Sequence, residues 1–262
     1  MIKSENTYKN FWQEVKQKIK IASLLDKDNN LVLGAETHRY KIYPPVEVKD
    51  ILAFEAKNKI ELPLNYRTYL QYFGAYGAGP DDGTCDFYGE IITTDVHKTS
   101  PIKKFKHPKT NIEVIPRDKY PISQTEGLIK IGADREPECC YLVINGALKG
   151  EVLGCSLYEY FDYSEGSLEE WYSTWIDRII IKLKNYHLFS TLTKDMNLEQ
   201  IEEILKVKAT ICSENPHSFS EHKIICFKNT PGTITLDKNG SITNIRKVSS
   251  ITAGATNCAD YQ

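Results

Sequence analysis

Residues 48–83 read VKDILAFEAKNKIELPLNYRTYLQYFGAYGAGPDDG, and the fold turns on this stretch. Val48, Ile51, Leu52 and Glu55 recur at helical spacing. The ring of Pro63 disfavours α geometry at Leu62, so the first helix stops near Asn58 and a second begins after the proline, where the missing N–H costs little. Tyr66, Leu70 and Phe73 form the apolar stripe of that second helix, and Gly74, Gly77 and Gly79 end it. Asp81 and Asp82 then shape a turn. The glycines make no phosphate cradle. No Lys-Ser/Thr pair follows them, and they come after a helix, so no helix N-terminus faces the loop.

Upstream, residues 7–21 place Tyr8, Phe11, Trp12, Val15 and Ile19 on one face of an amphipathic helix with lysines opposite. Residues 31–33 and 38–43 read as a short hairpin, because His38, Tyr40 and Ile42 alternate with Arg39, Lys41 and Tyr43. Pro44 and Pro45 break it. Downstream, residues 89–94 (GEIITT) are β-branched and predict a strand. Residues 97–119 carry seven Lys or Arg against Glu113 and Asp118, and read as a long solvated loop.

From Leu128 the pattern becomes strand, turn, strand: LIKIG, CYLVI, an Asn145-Gly146 turn, KGEVLGC and LYEYF. These form the antiparallel centre of a sheet. Ser167 with Glu170 three residues on predicts a capping box, followed by a helix with Leu168, Trp171, Trp175 and Ile179 inward. Farther on, Asn197 with Gln200 starts a short helix; residues 207–212 and 223–227 read as strands; and residues 233–236 and 241–245 flank an Asp237-Lys-Asn-Gly240 hairpin.

Two ordered blocks carry a family resemblance. Phe54, Glu55, Ile60, Leu62, Pro63, Tyr66, Arg67, Leu70, Gly77 and Gly79 make the first. The second runs from Leu128-Ile129-Lys130-Ile131-Gly132 through Leu142-Val143-Ile144-Asn145-Gly146 and Gly150-Glu151-Val152 to the Trp-containing helix. Over roughly residues 46–183 the pattern resembles the SUKH superfamily, which includes fungal cell-wall-assembly regulators and bacterial immunity proteins. The resemblance implies an α+β fold: a mixed, largely antiparallel sheet flanked by helices, here with a small C-terminal α+β appendage. The expected domains are residues 1–189, SUKH-like with an N-terminal helix, and residues 190–262, the extension.

Composition narrows the function classes. At 262 residues, 41% hydrophobic and net charge −2, the chain can bury a real core and offers no overall basic surface for nucleic acid or anionic membrane. Residues 1–10 are polar, and no apolar run approaches bilayer length, so a cytoplasmic protein is expected. Seven irregularly spaced cysteines suggest reduced thiols, and no CxxC or His-x-x-x-His spacing points to zinc. No G-x-S-x-G occurs and the six histidines are scattered, so no nucleophilic triad is predicted. Glu55 is the best candidate for a constrained carboxylate, expected to cap, to pair with Arg67 or to lie at the core edge.

Residues 126–177 hold eleven Asp or Glu against three Lys or Arg. This acidic half-domain is read either as plain solvation or as an acidic docking face, whose field would steer a basic partner. With the resemblance, it predicts a non-enzymatic immunity protein, without cofactor or metal, that occludes a basic toxin such as a nuclease or deaminase by stoichiometric binding. Expected contact residues are Asp81, Asp82, Asp86, Glu136, Glu138, Tyr158, Tyr160, Asp162 and Tyr163. The alternatives are a regulatory scaffold of the cell-wall-regulator type, and a small-ligand-binding domain or hydrolase using a pocket beside Glu55.

Overall fold

The computed structural model describes residues 4–28, 30–80, 82–88, 95–106, 113–115, 119–121, 123, 125–132, 139–156, 160–206, 208–214, 223–227, 232–237 and 241–247. The fold is α+β. It divides into two compact units, one of residues 1–23 and 34–176, the other of residues 24–33 and 177–262.

The first unit opens with α1 (Glu5–Leu25), whose residues Trp12, Val15, Ile19 and Ala22 are buried, as the helical spacing of its apolar residues requires. Helix α2 (Ala35–His38) follows, then α3 (Val48–Asn58) and α4 (Leu64–Thr68). The break between α3 and α4 falls where the proline dictates: Lys59 closes α3 in the left-handed conformation, and Pro63 sits immediately before α4. Helix α4 widens into a π-helical turn over Tyr69–Phe73. The Tyr69 carbonyl accepts from Gly74 N–H at 3.2 Å, while the Leu70 carbonyl is diverted to Val46 N–H at 2.9 Å.

Trp12 meets Tyr69, Phe73 and Tyr172 at ring separations of 5.1, 5.5 and 5.8 Å. The same unit contains β1 (Phe105–Lys106) paired with β2 (Glu113–Val114), and a four-stranded antiparallel sheet in the order β3 (Leu128–Lys130), β4 (Cys139–Val143), β5 (Glu151–Ser156), β6 (Tyr160–Ser167). Its core joins Leu128, Val143, Leu153 and Phe161 from the sheet to Ile102, Ile115 and Tyr120 from the preceding segment. All strand pairs among the described residues are antiparallel, which narrows the expected mixed sheet.

Helix α5 (Leu168–Phe189) begins with the predicted capping box: Glu170 N–H donates to the Ser167 hydroxyl at 3.3 Å and Ser167 N–H to the Glu170 carboxylate at 2.8 Å. Trp171 and Trp175 are buried. In the second unit α6 (Leu198–Leu205) carries the capping box of Asn197 and Gln200. A second antiparallel sheet follows, ordered β10 (Ile242–Lys247), β9 (Gly232–Leu236), β8 (Lys223–Phe227), β7 (Ala209–Glu214). Phe189, Ile201, Leu205, Ile225, Phe227 and Ile234 form its core.

Four readings of the sequence are corrected. Residues 31–43 form no hairpin: α2 occupies their middle, and Arg39 and Tyr40 take left-handed φ of 49° and 55°, which a strand cannot contain. The segment 97–119 is more than a solvated loop, since it contributes β1, β2 and the core residues Ile102 and Ile115, and Lys104 pairs with Glu151. The apolar stripe of α3 divides, with Ile51 and Glu55 buried but Val48 and Leu52 more than half exposed. Cys226 is disulfide-bonded, so the expectation of seven reduced thiols fails and cysteine usage no longer argues for a reducing compartment. Cys85 and Cys140 are buried thiols, and Cys85 Sγ donates to the Gly132 carbonyl at 3.0 Å. The strand predicted at residues 89–94 lies outside the described residues.

Candidate functional site

The flank of α3 that carries Asp50, Phe54 and Lys57, together with the segment running from Cys85 to Tyr88, makes a surface of charged side chains and aromatic rings. Tyr88 is 61% exposed; Val48 and Leu52, also more than half exposed, lie on the other flank of α3, about 160° around the helix from Asp50. Asp50, Ala53, Phe54, Lys57, Asn58, Phe87 and Tyr88 line a shallow cleft of about 260 Å³. Its floor is fixed by Phe54 and Phe87, whose rings lie 5.1 Å apart, and Tyr88 meets Phe87 edge-on at 5.4 Å.

The aspartates orient the exposed ring. Tyr88 N–H donates to the Asp86 carboxylate at 3.0 Å, and the Tyr88 hydroxyl donates to Asp50 at 3.2 Å. Partial desolvation, then the hydrogen bond to Asp50 and the charges of Asp50, Glu47 and Asp86, push the Tyr88 phenol up. Tyr76 is pushed up by desolvation, by its neighbour Tyr43 and by Asp86; Tyr43 and Tyr76 stack at 3.8 Å. The Tyr88 and Tyr76 phenols therefore stay protonated beside these carboxylates.

Glu55 lies on the inner side of the same helix. One of its oxygens accepts from Arg67 Nη2 at 2.6 Å and from Leu62 N–H at 2.8 Å. This carboxylate ties the end of α3 to α4, as the sequence suggested, and is occupied structurally.

Among the expected contact residues, Asp86 belongs to this surface. Asp82 is half-buried in the turn closed by Gly83 N–H and the Pro80 carbonyl, and accepts from the Thr37 hydroxyl at 3.4 Å. Tyr160 is half-buried at the start of β6, bridging Pro121. Asp162 and Tyr163 are placed on β6 by their backbone, Tyr163 opposite Gly154. Asp81, Glu136, Glu138 and Tyr158 lie outside the described residues. Several acids of residues 126–177 have structural roles: Glu151 pairs with Lys104 and accepts from Ser164, Glu169 is buried and accepts from Asn65, and Glu170 caps α5.

The sequence reading missed Asp50, Phe54 and Tyr88 as site residues. The available signal was Asp50, Phe54 and Lys57 at helical spacing on one flank of a helix whose burial needs Ile51 and Glu55 already meet. No His, Cys, Asp or Glu group among the described residues is arranged to hold a metal ion, and no described helix is long and apolar enough to cross a membrane. No family model, curated protein or solved structure matches the chain.

Proposed function

We propose that this chain is an immunity-type binding protein that neutralises a cognate bacterial toxin by stoichiometric contact, with Tyr88 and the Asp50–Phe54 flank of α3 as its docking surface. The observation carrying this reading is the exposed Tyr88 ring, held by Asp86 and Asp50 beside the Phe54–Phe87 floor of the cleft. An exposed phenol ring set between two carboxylates, with Lys57 at the edge of the cleft, suits a basic protein partner: the ring supplies contact energy, and the carboxylates supply steering. The SUKH-like pattern in the chain points the same way. A cleft of about 260 Å³ falls below the usual range for small-molecule sites, which favours a protein partner over a small ligand.

The test uses the tagged full-length chain, purified from its native host with any stoichiometric partner and then co-expressed with that partner. Relief of the partner's toxicity, with affinity reduced about tenfold or more by Asp50→Ala combined with Tyr88→Ala, supports the reading. Toxicity that persists on co-expression refutes immunity, and unchanged affinity in a folded double variant refutes this face.

A further inference from the structure

We propose a second binding site in the first unit: the groove between α1 and residues 40–45 receives an acidic linear peptide segment of a partner protein. The groove encloses about 830 Å³. Glu14, Lys16 and Lys20 line one side, and Ile42, Tyr43, Pro44 and Pro45 the other.

Charge selects the occupant. Lys16 and Lys20 stand four residues apart on one helix face, where like charges repel. Of the α1 carboxylates, Glu14 also lines the groove but is paired with Lys18 at 3.0 Å, and Glu5 accepts from the Tyr72 hydroxyl at 2.6 Å. Neither Lys16 nor Lys20 has an ion-pair partner among the described residues. Burial, with Lys20 beside it, pulls the Lys16 ammonium down, and a bound anion would relieve that cost.

The opposite wall explains why the occupant contributes side chains and does not extend a sheet. Lys41 N–H donates to the His38 carbonyl, Tyr43 N–H to the Tyr76 carbonyl, and the Lys41 and Pro44 carbonyls accept from Ala78 and Ala75. Pro44 and Pro45 have no N–H to offer. With its backbone so engaged, the wall presents apolar rings, and the complement is a chain with a carboxylate set beside an apolar residue.

A phage-displayed library of random dodecapeptides, selected on the whole chain, supplies the probe. The leading peptide is synthesised with fluorescein and titrated by anisotropy. Enrichment of Asp or Glu beside apolar residues is expected, with affinity falling about tenfold or more in Lys16→Glu/Lys20→Glu and staying near wild type in Lys16→Arg/Lys20→Arg. Tyr88→Ala leaves this binding unchanged, which separates it from the toxin-docking face. The proposal is overturned by peptides lacking acids, by no enrichment, or by equal binding to the charge-reversed variant when circular dichroism shows it folded. Displacement by phosphate on the order of 10 mM, beyond that caused by sodium chloride of equal ionic strength, makes the groove a small-anion site and also overturns it.

Discussion

The Glu55 carboxylate shows how much one side chain can hold. It is 7% exposed, accepts from Arg67 and Leu62, and so fixes the geometry around the Pro63 turn. Glu55→Ala leaves Arg67 without its partner and Leu62 N–H without an acceptor, and should cost about 3 kcal/mol. Urea unfolding followed by tryptophan fluorescence measures this, because Trp12, Trp171 and Trp175 all belong to the first unit. Gly77 is a second such residue. Its φ is +133° and a Cβ there would collide with the Lys41 carbonyl. Gly77→Ala should therefore lower the same transition by about 2 kcal/mol. The pairing of Glu55 with Arg67 was readable from two residues flanking a Leu-Pro turn. The need for Gly77 was not, because it arises from residues 41–43 packing against the glycine-rich loop, a contact distant in sequence.

At the scale of elements, local signals worked where the partners are local. Asn197 accepts from Gln200 N–H at 2.9 Å, and Asn197 N–H donates back to the Gln200 side chain at 2.9 Å. Asn197→Ala should weaken α6 by about 1 kcal/mol, seen as faster amide hydrogen exchange across Leu198–Leu205, with the tryptophan-monitored transition unchanged. Alternation over 38–43 misled because six residues of period-two pattern do not exclude a turn of helix followed by two left-handed residues. The π-helical turn had no sequence signature, since it depends on Val46 reaching the Leu70 carbonyl.

For the whole molecule, the first unit's core predicts the alkaline limit. Burial pushes the phenols of Tyr66, Tyr69 and Tyr172 up from the ordinary value of 10.0. A raised folded-state value means that this contribution to stability is complete below about pH 10 and declines as pH rises above it, because only the unfolded chain releases these protons readily. Absorbance at 295 nm should therefore show exposed tyrosines titrating first and a later step coincident with the loss of tryptophan-monitored structure. Smooth titration of every tyrosine with fluorescence unchanged would contradict burial of the three. The sequence by itself determined where α3 ends and α4 begins, both capping boxes, the strands β3 to β5 and the C-terminal hairpin, because propensity, proline sterics and caps act over a few residues. Only the tertiary structure decided which side of α3 stays uncovered, which acids are consumed by Lys104, Asn65 and Ser167, and which lysines of α1 are left without a counter-charge. Burial and charge pairing depend on neighbours far away in the chain, and periodicity along the sequence carries no record of them.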